Sequence, residues 1–162
     1  MIKFSFDTST PVSGGACTVI EADPKEVFEF IADDFFNNYP KWAPEVIELE
    51  ALECNKVCVG VKGRQVRQDD EALVESVFEI VEYDPHNSFV FQGINPPYKN
   101  TYITESQENG KQTRLTFQFD LLEIDVFMRP FVKLIRIAIE DGAEATVEKI
   151  KELVVNKTAK ST

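Results

Sequence analysis

Leu115, Phe117, Phe119 and Leu121 alternate with Arg114, Thr116, Gln118 and Asp120. A period of two puts the first set on one face of a strand and the second on the other. The run predicts a strand over about 112–122 with one dry face, as in an antiparallel sheet curled over a single core. Residues 98–107 read as its partner, because Glu108-Asn109-Gly110-Lys111 carries the Asn-Gly hairpin signal between two extended runs. Further extended runs, 74–83 and 89–92, are separated by Asp84-Pro85-His86-Asn87, a turn tetrad with proline in second place. Val57, Val59 and Val61 alternate with Cys58 and Gly60 and predict another strand. If that parity continues, Gln65 and Arg67 point inward. A bulge at Gly63 would reverse it, placing Val66 inside and Arg67 in water.

The period changes at both ends of this strand region. Thr10-Pro11-Val12-Ser13-Gly14-Gly15 reads as turn chemistry between short strands at about 2–6 and 16–21. Asp23 then reads as an N-cap, with Pro24 at the first helical position and Glu26 in the first turn. Val27, Phe30 and Ile31 give that helix one apolar face, and a second short helix starts at Asp33-Asp34 and ends near Tyr39-Pro40. At the other end, a long helix is expected from about 125 or 129 to 155. Phe127, Phe131, Leu134, Ile135, Ala138, Gly142, Ala145, Thr146, Ile150 and Leu153 trace its expected buried stripe. Gly142 inside a helix costs about 1 kcal/mol relative to Ala. Either the helix approaches the sheet closely there, or space is left for a ligand.

The element order predicts an α+β architecture. A curved antiparallel sheet wraps around a long C-terminal helix, and two short helices close one end. With 162 residues, of which 43% are hydrophobic, a single domain over 1–155 and a flexible Lys-containing tail over 156–162 are expected. The net charge of −11, from 28 acidic and 17 basic residues, opposes nucleic-acid binding and long-range attraction to anionic lipid. Three cysteines, Cys17, Cys54 and Cys58, cannot all pair in one chain, and Met1–Asp7 lack a signal-peptide core. No run reaches the roughly 18 apolar residues of a membrane span. A cytoplasmic protein without stable membrane insertion is expected.

Catalytic signatures are sparse. Cys54-x3-Cys58 has metal-like spacing, but the one histidine, His86, falls in a turn, so no zinc set and no Ser/His/Asp or Cys/His triad is expected. Cys17 and Cys58 read as small buried residues of strands. The glycines form neither a P-loop nor a GxGxxG motif. No metal, cofactor or catalytic residue is assigned.

Ala22-Asp23-Pro24-Lys25-Glu26-Val27-Phe28 is followed by Trp42-Ala43-Pro44 and by Val59-Gly60 with Arg64 and Arg67. Ile80-Val81-Glu82-Tyr83-Asp84-Pro85 and Thr113-Arg114-Leu115-Thr116 come next. In this order, over about 16–154, the chain resembles the START-like (SRPBCC) helix-grip superfamily. Its polyketide cyclase/dehydrase and lipid-transport members are the most similar. The resemblance implies a cavity with the C-terminal helix as one wall.

A hydrophobic or amphipathic small molecule, such as a lipid or polyketide-like compound, is the expected ligand, bound or transported between sheet and helix. Phe78, Phe91, Phe117, Phe119, Phe131 and Ile135 would supply apolar surface, Ala138 and Gly142 room, and Arg67, Tyr98 and Tyr102 polar anchors. Trp42 is expected to be a buried anchor at the corner before the next strand. Two other readings stand beside this one. An enzyme of cyclase/dehydratase type would rely on Arg67 with Tyr98 or Tyr102. An interaction module for a protein partner of unknown identity would show an exposed apolar patch.

Overall fold

A computed structural model describes residues 10–95 and 97–160. The strand expected at about 2–6 lies outside the described residues. Strand β1 (Val12–Ile20) leads into α1 (Pro24–Phe28), a π-helical turn (Glu29–Asp33) and α2 (Phe35–Trp42). Six strands follow: β2 (Val46–Ala51), β3 (Lys62–Asp69), β4 (Ala72–Asp84), β5 (Ser88–Ile94), β6 (Pro97–Gln107) and β7 (Gln112–Leu121). A 3-10 turn (Val126–Phe131) then opens α3 (Val132–Lys160).

All neighbouring strands are antiparallel, in the order β1-β7-β6-β5-β4-β3-β2. The meander from β2 to β7 thus brings β7 back beside β1. The fold is the helix-grip architecture expected from the sequence. Asp23 caps α1 as its sequence context requires, its carboxylate accepting from Glu26 N–H at 2.8 Å. Asn109 and Gly110 make the β6–β7 hairpin with positive φ, the geometry that favours these two residues.

One half of the concave face is solid. The segment from α1 to α2 buries Val27, Phe28, Ile31 and Phe35 against Phe78, Ile80, Phe89 and Phe91 of β4 and β5. Phe35 is its centre, with ring centroids 5.0 Å from Phe91, 5.2 Å from Phe89 and 5.8 Å from Phe78. A row across the sheet, Gly63–Phe78–Gly93–Tyr98, explains how these large rings fit. A Cβ on Gly63 would lie 2.2 Å from Phe78 Cζ, and one on Gly93 would lie 2.1 Å from Tyr98 Cε1. Each ring therefore lies over the glycine of the strand beside it. Gly63 is a seat for a ring and not a bulge, and the β3–β4 register is unbroken through it.

Several expectations require correction. Residues 57–61 form no strand but a loop between β2 and β3. Val57 and Val61 are buried, whereas Val59 is 60% exposed. The loop is tied to β4 by Gly60 N–H donating to Ile80 O and Ile80 N–H donating to Val61 O. Cys58 lies in this exposed loop, and Cys17, on β1, is exposed as well. Gly14 and Gly15 belong to β1, not to a turn. At Gly14 the sheet meets α3: a Cβ there would sit 2.8 Å from Ile139 Cγ2.

The helix stripe also differs. Ala143, Val147, Ile150 and Val154 are the buried positions of α3, whereas Phe127, Phe131 and Leu134 are exposed. The helix lies down on the core from Ala143 onward. The residues after Asn156, expected as a tail, continue α3 to Lys160, and Thr158 Oγ1 donates to Glu26 Oε1 of α1 at 2.8 Å.

Candidate functional site

Where the first half of α3 stands off the sheet, a cavity of about 430 Å3 remains. Its floor comes from alternating positions of two paired strands. Asn100 and Tyr102 of β6 oppose Phe119 and Phe117 of β7, with Leu121 next in parity. Its roof is Ile135, Ala138, Ile139, Gly142, Ala143 and Thr146 of α3. Tyr39, Trp42 and Ala43, from the end of α2 and the turn after it, close one end, with Glu45 and Arg67 beside them.

At Gly142 the close approach weighed from the sequence does not occur. A Cβ there would meet nothing within 4 Å, so the helix does not need glycine for close approach. The close approach is made one turn earlier, by Ile139 against Gly14.

The polar groups gather at the α2 end. Arg67 Nη2 donates to Glu45 Oε1 at 3.0 Å, and both side chains are partly exposed. Trp42 is 4% exposed and its indole N–H donates to the Tyr102 hydroxyl at 3.2 Å. Among the described residues no acceptor takes the Tyr102 phenol proton, and the Tyr39 hydroxyl makes no hydrogen bond. Burial pushes both phenols well above their ordinary value; the Trp42 hydrogen bond opposes the shift at Tyr102, and the Arg67 charge opposes it at both. Both are therefore neutral donors at physiological pH. The arrangement offers donors to a carbonyl, carboxylate or hydroxyl oxygen, and Glu45 offers one acceptor.

Of the residues singled out from the sequence, Arg67, Tyr102, Phe117, Phe119, Ile135, Ala138 and Gly142 line this cavity. Phe78 and Phe91 do not, because they are fully buried in the solid half. Tyr98 sits over Gly93, its hydroxyl accepting from Gln65 Nε2 at 2.7 Å, and burial raises its phenol as well. Phe131 points outward and is 50% exposed. Gln65 and Arg67 share the inward face, as the parity without a bulge requires. The sequence reading missed Tyr39, Ala43, Glu45, Leu121, Ile139 and Ala143, and took Trp42 only as an anchor. Leu121 follows Phe119 by two and Ile139 follows Ile135 by four, so both were legible. Glu45, in a turn, carried no periodic signal.

Residues 10–155 match the model of the polyketide cyclase/dehydrase and lipid transport family. The chain belongs to that family. It is thereby a member of the START-like helix-grip superfamily, and solved structures show the same fold at low identity. The Zhui aromatase/cyclase of Streptomyces sp. R1128 superposes with a TM-score of 0.72 at 12% identity, covering 90% of this chain and 94% of that one. A norcoclaurine synthase point mutant of Thalictrum flavum gives 0.70 at 14%, covering 93% and 98%. A protein from Thermus thermophilus gives 0.68 at 20%, covering 90% and 98%. No curated protein sequence matches. In this family member no helix among the described residues is long and apolar enough to cross a membrane.

Proposed function

We propose that the protein binds, and in transport releases, a hydrophobic or amphipathic small molecule in the cavity between the sheet and the first half of α3. One observation carries the reading: an apolar chamber with two neutral phenols at one end whose protons no acceptor among the described residues takes. Its volume of about 430 Å3 lies within the range of small-molecule sites. Burying about 200 Å2 of apolar ligand surface at about 25 cal/mol per Å2 gives about 5 kcal/mol before association costs. Apolar contact alone therefore supports modest affinity, and the anchors Tyr39, Tyr102, Asn100 and Arg67 set specificity. Native mass spectrometry of freshly purified protein tests this by detecting a co-purified small molecule. Titration with a fluorescent apolar probe supplies the affinity. A folded protein that takes up no apolar probe, and in which Gly142→Leu changes nothing, would sink the reading.

A second reading has one observation in its favour. Neutral phenols beside the Arg67 guanidinium are suited to polarise a ketone, as cyclase/dehydratase chemistry requires. Turnover of a polyketide-like ketone that falls in Tyr102→Phe, with binding retained, would establish it over simple binding.

A further inference from the structure

The segment from Val126 to Ile139 carries apolar side chains on its outer surface as well as toward the cavity. Phe127 is 85% exposed and Leu134 is 65% exposed, and Val126, Met128, Phe131 and Ile137 are exposed beside them. Large apolar residues scattered singly over a surface are ordinary, but six within twelve consecutive residues form a patch. The charges of the same segment are all of one sign. Arg129, Lys133 and Arg136 lie in it, and no acidic residue falls between Asp125 and Glu140. In a chain of net charge −11 this is a local reversal.

We infer that this face docks on an anionic lipid surface. Aromatic and aliphatic side chains on a 3-10 turn and one helix face enter the headgroup boundary, while neighbouring cations meet the lipid anions. A second copy of the chain fits less well, because patch against patch would set Lys133 and Arg136 against the same two cations. The overall negative charge opposes approach from a distance. Screening within about 8 Å at physiological salt leaves the local cations dominant at contact. The position of the patch gives docking a consequence. Leu134 and Ile137 face outward on the same two turns whose Ile135, Ala138 and Ile139 roof the cavity. On a docked protein the roof lies at the lipid boundary, so an apolar guest has a short dry route between bilayer and cavity.

The test is co-sedimentation of the purified chain with phosphatidylcholine vesicles, with and without phosphatidylserine. Binding is expected to the phosphatidylserine vesicles, weaker in high salt and much weaker to phosphatidylcholine alone. Phe127→Ser with Phe131→Ser should abolish it, and Lys133→Gln should weaken it by about fivefold. Circular dichroism and the thermal midpoint should stay at wild-type values, since these side chains are exposed. Uptake of the apolar probe by the cavity, measured without vesicles on the same variants, should be unchanged, which separates failure of docking from failure of the cavity reading. No binding to anionic vesicles by folded protein overturns the inference. Equal binding to both vesicle types, or binding that survives the double serine variant, overturns it too. A dimer that the double variant dissociates, without vesicle binding, would assign the patch to an interface between copies instead.

Discussion

The concave face of one sheet is solid at the α1–α2 end and hollow under α3. The sheet offers large aromatic residues to both ends, so it is the covering helix that decides. The α1–α2 segment sends down Phe35 and Tyr39, and their rings interlock with Phe78, Phe89 and Phe91. The first half of α3 offers Ala138, Gly142 and Ala143 instead, and approaches the sheet edge closely where Gly14 admits Ile139. Close packing is the default of protein interiors. A chamber persists here because Ile139 against Gly14 and the buried Val147, Ile150 and Val154 hold the helix, while the small side chains between sheet and helix leave the space unfilled.

The contrast can be broken at its strongest point first. Phe35→Ala empties the centre of the solid half, and should cost about 3–5 kcal/mol in urea or thermal unfolding. A loss below about 1 kcal/mol would mean that the two halves are alike.

Alkaline titration asks how dry the hollow half is. The folded pKa of Tyr39 and Tyr102 is raised chiefly by burial above the ordinary value of about 10. The folded state therefore holds protons that the unfolded chain gives up. The stability linked to these phenols is intact below about pH 10, and is lost as pH rises from there through the folded values. Tyr83, whose hydroxyl donates to Asp33, is pushed to about 12 by partial burial and that partner. With all four tyrosines raised, phenolate absorbance in the folded protein should stay low near pH 10 and rise with alkaline unfolding. Titration of Tyr39 and Tyr102 near 10 without unfolding would show a chamber freely open to water.

Two glycines then sharpen the comparison. Gly14→Ala forces a methyl to within 2.8 Å of Ile139 Cγ2, and should cost about 1–3 kcal/mol by overpacking. Gly142→Ala adds the same methyl to open space and should gain up to about 1 kcal/mol from helix propensity. Thermal midpoints moving in opposite directions check both. Gly142→Leu should leave the midpoint near wild type and abolish uptake of the apolar probe.

Much of this was legible because the signals were local. The Asn109-Gly110 hairpin, the Asp23 cap and the alternation from Leu115 to Leu121 depend on neighbours in sequence, and each formed as the residues require. The failures share another cause. Val57, Val59 and Val61 mimic a strand, yet Gly60 adopts a φ of 96° and turns the chain. Gly14 and Gly15 resemble a turn, but the role of Gly14 is set by α3 and that of Gly15 by β7, both more than a hundred residues later. The helix stripe was drawn through Phe127, Phe131 and Leu134 on the assumption that large apolar side chains are buried. Ala143 and Val147 are the positions inside. Arg67 depended on whether Gly63 broke the register, a question decided by the ring of Phe78 across the strands.

That pairing limits how the protein can change. Gly63 and Phe78 are one unit of substitution, since a methyl at 63 demands a smaller side chain at 78. A smaller side chain at 78 would in turn leave Phe35 without one of its neighbours. The same holds for Gly93 with Tyr98, whose hydroxyl is tied to Gln65. Single changes along this row should be rejected and joint changes tolerated, so its members are expected to vary together, if they vary at all. Ile139, set against Gly14, and the buried Ala143 aside, the residues roofing the chamber obey no such bond. Gly142 meets open space, and it can change alone. The shape of the chamber can therefore change through α3 while the Gly63–Phe78–Gly93–Tyr98 row remains locked.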